Sequence, residues 1–321
     1  MSDKTTCQIC CNANANKILQ VREMYFGTQE MFEYLECSSC GCLQLITDIN
    51  DFSKFYPKEY FTFNQKHESK FKSILNRFRD RAAMGEDSLI GRILLKKLGQ
   101  PEYVSKLKIA NVGFNDRILD VGCGKGILLH KMKQSGFNNV LGIDPFINET
   151  IVYKNGLKII KQNFLDLEGS FDFIMFNHSF EHMTNPVEII KHANKLLNLN
   201  KYLLIRIPVA DSYAFKQYRE NWCSLDAPRH IFLHTKKSIQ LLAELSGFKI
   251  KLINYDSRSW QFWGSEQYSI NIPLVDDTSF FVNPEKSIFN KEMIREFELK
   301  AKELNQNKEG DQAEFYLQKI K

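Results

Sequence analysis

Three glycines within five positions interrupt the stretch RILDVGCGKGILLHKM, residues 117–132, between an apolar run and an amphipathic one. A strand that ends in such a loop and enters a helix presents backbone N–H groups at a helix N-terminus, where the helix dipole favours an anionic group. Gly122 and Gly124 are therefore predicted to line a ligand site. The spacing differs from G-x-G-x-x-G, because Ile127 stands where that motif has its third glycine.

Two carboxylates flank this loop in the sequence. Asp144, in VLGIDP, follows Gly124 by 20 residues and can accept two hydrogen bonds from a ribose diol; Pro145 beside it belongs to the same predicted site. Asp120 directly precedes the loop, where it would repel a pyrophosphate but can face the ammonium group of a methionine moiety. The acids thus favour S-adenosylmethionine (SAM) over NAD. A carboxylate that only caps the loop backbone is the alternative interpretation of Asp120.

Later segments supply further candidates for the cofactor site. Asn163 and Phe164 can hold an adenine amine and ring, and Asn177 ends the fourth predicted strand. Ligands of a doubly wound sheet bind at the carboxyl ends of its strands, which is where these residues are expected.

Three histidines are candidates for a general base that takes a proton from the methyl acceptor. His178 and His182 follow the fourth strand and share a face if a helix begins there, whereas His230 lies in a long later connection. We favour His182 or His230. The alternative is that Glu181 and His182 only anchor a helix start.

Two residues are candidates for binding the acceptor. The planar guanidinium of Arg229 suits a phosphate or carboxylate, and a structural ion pair with Asp226 is the alternative. Tyr60, in the aromatic stretch DFSKFYPKEYFTF, can fold over the acceptor, or it can pack between domains.

Two C-x2-C pairs within the first 40 residues provide four thiolates, the closed tetrahedral set of a structural zinc site. The predicted ligands are Cys7, Cys10, Cys37 and Cys40. Cys11 and Cys42 are close neighbours and alternative ligands, and unmetallated cysteines are the other interpretation. A zinc site explains the cysteines better than disulfides do, because cytoplasmic thiols stay reduced.

From residue 116 onward, short apolar runs alternate with helical periods, which predicts an α/β fold with a doubly wound, mostly parallel sheet. The predicted strands are 117–121, 139–143, 157–161, 171–176, 201–207 and 248–254. The predicted helices are 66–81, 88–108, 125–135, 147–154, 186–198 and 236–246.

The chain is predicted to have four parts. They are a zinc ribbon (1–50), a helical connector or lid (51–110), a SAM-binding domain (111–270) and a C-terminal helical extension (271–321). A net charge of +5 with interleaved acids and bases argues against a nucleic-acid partner. The sequence has no signal peptide and no run of about 20 apolar residues, so we expect a cytoplasmic protein without a membrane span.

The order of the motifs ILDVGCGKG, GIDP and FDFIMFNHSFEHMTNP resembles that of class I SAM-dependent methyltransferases. Beyond this core, the chain resembles methyltransferases of bacterial polysaccharide and antibiotic-sugar clusters, which also begin with a four-cysteine zinc segment. The corresponding stretches are FYPKEYF (55–61), WCSLDAPRH (222–230) and GDQAEFYL (310–317).

This resemblance implies SAM and structural zinc as cofactors and a small-molecule or carbohydrate acceptor, such as a nucleotide sugar, a glycolipid or a polysaccharide precursor. Sugar C-methyltransferases of this group carry a Tyr-x-Glu-His cluster where this chain has Asp226-Ala-Pro-Arg-His230. The loss of Tyr and Glu favours O-methylation. C-methylation, a nucleic-acid-binding zinc ribbon and a scaffold without turnover are the alternatives.

Overall fold

The computed structural model describes residues 4–56 and 70–321 and divides into two compact units. Unit 1 consists of Met1–Tyr56, Phe180–Ile190 and Ile205–Phe315. Unit 2 consists of Pro57–Ser179, Lys191–Leu204 and Tyr316–Lys321.

The described residues form α-helices and β-strands in alternation through most of the chain. The helices are α1 (Lys70–Ala83), α2 (Leu89–Leu98), α3 (Glu102–Ile109), α4 (Ile127–Ser135), α5 (Pro186–Leu196), α6 (Tyr213–Tyr218), α7 (Lys236–Leu245), α8 (Trp260–Ser269) and α9 (Lys291–Gln306). The strands are β1 (Lys17–Arg22), β2 (Met31–Glu36), β3 (Leu43–Leu45), β4 (Ile118–Val121), β5 (Val140–Ile143), β6 (Ile151–Val152), β7 (Lys158–Ile160), β8 (Phe171–Asn177), β9 (Leu197–Pro208), β10 (Phe232–Leu233), β11 (Phe248–Tyr255) and β12 (Gln312–Lys319). Among the described helices, none is both long and apolar enough to cross a membrane.

The sheet of unit 2 has the strand order β9-β8-β4-β5-β7-β6. Strand β4 pairs in parallel with β5 and β8, and β5 pairs in parallel with β7. All four residues of β4 are buried, as expected of a parallel strand covered on both faces. The prediction of an α/β fold with a mostly parallel sheet is confirmed.

The predicted helix over 147–154 is wrong. Residues Ile151–Val152 form β6, which pairs antiparallel with β7, and Tyr153 N–H donates to Leu157 O at 2.9 Å. Two β-branched residues followed by Asn155-Gly156 favour a hairpin, since Gly156 takes the positive φ, 78°, that the turn needs. The stretch 88–108 is likewise not one helix, because Gly99 and Pro101 separate α2 from α3.

Unit 1 contains a second sheet, of order β1-β2-β3-β10. The hairpin β1–β2 lies between the two cysteine pairs of the sequence, and β3 follows the second pair directly. Strand β10 comes from the distant segment after His230 and pairs with β3, Phe232 opposite Gln44. The buried residues around this sheet include Tyr34, Leu43 and Trp222. The sequence does not reveal this pairing.

Strands β11, β12 and β9 are neighbours in that order, and β12 and β9 each have residues in both units. The segment predicted as a helical extension contains helix α9 and ends in strand β12. Helix α9 packs on α8 through the stacked rings of Phe262 and Phe297, whose centroids are 5.3 Å apart.

Candidate functional site

The glycine loop of unit 2 is a tight connection between β4 and α4. Gly122 N–H donates to Ile143 O at 2.9 Å, and Gly122 and Gly126 both have a φ of 73°, which favours glycine. A Cβ on Gly122 would lie 2.5 Å from Cβ of Ser179. The backbone at Gly122 is therefore bare because a side chain has no room there.

Ser179 is a loop-positioning residue that sequence reasoning missed. It is buried just beyond the end of β8, and its hydroxyl donates to Val121 O at 2.6 Å. This bond fixes the start of the glycine loop to the segment that follows β8. No sequence pattern distinguishes this serine from others in the chain.

Asp144 holds the loop through both carboxylate oxygens. Oδ2 accepts from Gly124 N–H and Oδ1 accepts from Phe146 N–H, each at 2.8 Å. Each carboxylate oxygen has a second lone pair, so Asp144 can still accept hydrogen bonds from a ligand diol.

Asp120 lies at the end of β4 and is only 4% exposed. Among residues 4–56 and 70–321, no donor hydrogen-bonds its carboxyl group, so it does not cap the loop backbone. Burial is the main reason that the pKa of Asp120 is raised to about 8, and the charge of Asp144 is the second reason. A cation placed at this carboxyl group would stabilise its ionised form.

The other predicted cofactor residues lie in unit 2 with varied exposure. Asn163 is exposed and Phe164 is buried, with its ring edge-on to Phe176 at 5.3 Å between centroids. Pro145 and Asn177 are half-buried.

A buried ionic cluster in unit 1 surrounds Arg229, which is 1% exposed. Its Nε donates to both oxygens of Asp226 at 3.0 Å, and its Nη2 donates to Glu23 Oε1 at 2.9 Å. Burial is the largest single effect and by itself would raise the pKa of Asp226, but the charges of Arg229 and the two histidines, together with the hydrogen bonds from Arg229, outweigh it and lower that pKa. The ion pair with Asp226 is thus present, and Glu23 is a partner that sequence reasoning missed.

His182 and His230 lie together in unit 1, with ring centroids 4.8 Å apart. His182 Nδ1 is 2.8 Å from Arg229 O, and His230 Nδ1 is 2.8 Å from Ser224 O. Because a carbonyl oxygen only accepts, both Nδ1 atoms carry a proton in these contacts, which leaves a lone pair on each Nε2. Burial lowers the pKa of His182, and His230 lowers it further.

Glu181 completes this group. Its carboxylate is fully buried, and Oε1 lies 3.9 Å from His230 Nε2, the same distance that separates this nitrogen from Asp226 Oδ2. His178 is not part of it: this residue is exposed, belongs to unit 2 and has a φ of 55°. The helix that would align His178 with His182 is not formed, because a short 3₁₀ helix, Phe180–His182, begins after the break.

A family model described as a methyltransferase domain matches residues 66–252, more than half of the chain. The chain belongs to this methyltransferase family. The α/β fold and the glycine loop described above agree with this assignment. Tyr60, which we predicted to contact the acceptor, lies outside the described residues.

The methyltransferase is also similar to individual proteins. It is 31% identical over 138 residues to Uncharacterized protein MJ1123 of Methanocaldococcus jannaschii, a match that covers 41% of this chain and 64% of that protein. It is similar to a SAM dependent methyltransferase from Archaeoglobus fulgidus at 16% identity, covering 71% of this chain and 98% of the other, with a TM-score of 0.41. It is also similar to the cyclopropane synthase MmaA2 from Mycobacterium tuberculosis at 14% identity. That match covers 79% of this chain and 100% of the other, with a TM-score of 0.44.

The four predicted zinc ligands of the methyltransferase converge in unit 1, with all four sulfur atoms within 4.8 Å of one another. Cys7 and Cys40 Sγ are 3.6 Å apart, and Cys10 and Cys37 Sγ are 3.5 Å apart. Tetrahedral bonds of about 2.3 Å to zinc place sulfurs roughly 3.8 Å apart, so the site fits this ion. The hydrogen bond from Cys40 lowers the pKa of Cys7 to about 5, which favours a thiolate.

The two neighbouring cysteines are not part of this tetrad. Cys11 is exposed, and Cys42 is buried with its thiol 3.9 Å from His234 Nδ1. Cys123, in the glycine loop, packs against the core of unit 2.

Proposed function

We propose that this methyltransferase transfers the methyl group of SAM to a hydroxyl group of a carbohydrate, with a histidine imidazole as the base. Asp144 would accept the ribose hydroxyls and Asp120 would face the ammonium group, with Gly122 and Gly124 supplying bare backbone. Pro145, Asn163, Phe164 and Asn177 would complete the nucleoside site. The observation that carries the donor assignment is the buried Asp120 carboxyl group, which no donor among the described residues reaches.

A neutral imidazole in a fixed tautomer suits the proton transfer. His182 and His230 both direct Nδ1–H at a backbone carbonyl, so Nε2 is the basic nitrogen. In the reaction the acceptor hydroxyl would give its proton to Nε2 of one of them. Its oxygen would bond the methyl carbon, and the electrons of the broken S–CH₃ bond would stay on S-adenosylhomocysteine. Glu181 and Asp226 lie 3.9 Å from His230 Nε2 and would stabilise the imidazolium, which favours His230 over His182 and over His178.

The proposal of a carbohydrate acceptor is supported by two accessory motifs outside the methyltransferase core. Trp222 Nε1 donates to Asp311 Oδ2 at 3.0 Å, and Ser224 Oγ donates to the same oxygen at 3.1 Å. Asp311 therefore joins the stretch 310–317 to the stretch 222–230, and in the resembling sugar methyltransferases the two stretches also occur together. The loop lacks the Tyr and Glu of sugar C-methyltransferases, which supports O-methylation; C-methylation is the second candidate.

Arg229 is better explained as a structural residue than as an anion-binding one. Its guanidinium is fully buried and already pairs with two carboxylates. An acceptor phosphate would have to displace one of them. We propose that Arg229 instead fixes the loop that carries His230.

The test is incubation with labelled SAM and a panel of nucleotide sugars, with the methylated atom located by NMR. The variant His230→Asn keeps an amide donor for Ser224 O and removes the base, so kcat should fall about 10²- to 10⁴-fold while SAM affinity is retained. Methylation at carbon would favour the second candidate. Preferential methylation of nucleic acid, or full kcat in both His230→Asn and His182→Asn, would contradict the proposal.

A further inference from the structure

We propose that Glu181, His182 and His230 form a second metal site, which binds a divalent transition-metal ion. One ligand atom from each residue lies within 4.8 Å of the other two. The rings of the two histidines meet at an interplanar angle of 65°, and His230 Nε2 is 3.9 Å from Glu181 Oε1. Small side-chain rotations would bring three such atoms to the roughly 2.0–2.2 Å bond lengths of a bound ion.

The hydrogen bonds behind the two imidazoles are those of metal ligands. Arg229 O and Ser224 O lie 2.8 Å from the Nδ1 atoms and accept their protons. A histidine that ligates a metal nearly always donates its other N–H to a carbonyl or a carboxylate, which fixes the ring and its tautomer. Here both rings have that support.

The charges of the side chains around the two imidazoles also favour a bound cation. Glu23 and Glu181 are fully buried, and the side chain of Asp226 is 13% exposed. Arg229 is the cation that pairs with Glu23 and Asp226. Glu23 is also stabilised by backbone N–H groups that donate to its carboxylate. Acidic side chains outnumber the one guanidinium around the two imidazoles, which favours a cation over an anion at this position.

The ligand set indicates which kind of ion fits. Two imidazoles with one carboxylate suit Zn²⁺, Fe²⁺, Co²⁺ or Mn²⁺ better than Ca²⁺ or Mg²⁺, which prefer oxygen ligands. Three protein ligands leave coordination positions for water or a substrate oxygen, unlike the closed four-cysteine site. This proposal goes beyond the function proposed above, because the ion binds whatever the acceptor is. Metal binding and the base role proposed above would use the same Nε2 atoms, so in the metal-bound form the imidazoles would hold the ion, and the ion would instead lower the pKa of an acceptor hydroxyl.

Cobalt separates the two metal sites by their spectra. The full chain is loaded with one equivalent of Zn²⁺ to fill the cysteines and is then titrated with Co²⁺. Cobalt held by thiolates absorbs strongly in the near ultraviolet, whereas cobalt held by imidazole and carboxylate gives only weak visible bands. We expect a second equivalent to bind with the weak bands alone.

Substitutions test which residues bind the second metal ion. His182→Ala and the isosteric Glu181→Gln should each weaken it at least about tenfold, with the zinc content of the cysteine site unchanged. The control is His178→Ala, in unit 2, which should bind Co²⁺ like the wild type. Circular dichroism establishes that each variant folds, and Glu181→Gln serves if His182→Ala does not. Cobalt taken up by the cysteines only, or an affinity that both variants retain, would overturn the proposal.

Discussion

At the scale of single residues, Asp120 is the residue of the proposed SAM site whose ionisation we expect to be coupled to ligand binding. Burial and the charge of Asp144 raise its pKa from 3.8 to about 8. Protonated Asp120 therefore contributes stability to the free protein below about pH 4. That contribution is lost as the pH rises through 8, because the native state then has to ionise a buried group.

An ammonium group at Asp120 reverses this preference, since it stabilises the carboxylate. SAM affinity is therefore expected to fall as the pH is lowered from 7.5 to 6, by up to about tenfold per unit, because binding must expel a proton. Over this range the amine of SAM stays largely protonated, so the slope reports the protein. Calorimetry in buffers of different ionisation enthalpy measures the proton release. Asp120→Asn should bind more weakly and without the slope; a slope that persists in this variant would contradict the assignment.

At the scale of secondary-structure elements, the sequence predicts well those elements whose burial determines them. Strands β4, β5 and β8 are apolar runs because both faces of the sheet are covered, so their positions follow from composition alone. The prediction for residues 147–154 is wrong because burial does not determine their conformation. Ile151 and Val152 fit a helix or a strand, and pairing with β7 decides between them.

In the candidate site, too, some contacts could be predicted from the sequence and others could not. Asp120, Asp144 and the glycines come from one strand–loop–helix unit and its neighbour, so their proximity could be predicted from spacing. Glu23 and Arg229 are 206 positions apart in the sequence, and no local pattern joins them. Arg229 lies just before β10, whose pairing with β3 involves only two residues on the β10 side.

The cysteine site at the start of the chain is an element that a metal should hold together. Cys37→Ser is expected to lose the bound zinc, about one ion per chain in the wild type, and several kcal/mol of stability in this segment, because metal binding replaces an apolar core there. Metal analysis and urea unfolding measure the two effects. The matched control is Cys11→Ser, since Cys11 is exposed and outside the tetrad. Equal zinc loss in both variants would contradict the ligand assignment.

At the scale of the whole molecule, the cysteine segment and the histidine loop are parts of one unit. Thr235 Oγ1 donates to Cys40 O at 2.6 Å, Leu45 N–H donates to Ile231 O at 2.8 Å, and Tyr34 OH donates to His230 O at 2.7 Å. The cysteine segment therefore holds the backbone that carries His230. The residues of the proposed SAM site belong to the other unit, and their strands pair with one another.

This division predicts a local response to loss of the N-terminal metal. In Cys37→Ser, amide hydrogen exchange should quicken about tenfold or more over 31–45 and over 230–235, because both segments lose their common support. Residues 118–121 and 140–143 should keep their protection and gain more when SAM is added, since bound ligand stabilises the state that binds it. The measurement is exchange followed by mass spectrometry, with Cys11→Ser as the control. Unchanged exchange over 230–235 would mean that the histidine loop is held independently of the metal, and a uniform rise across both units would mean that the two units do not respond separately.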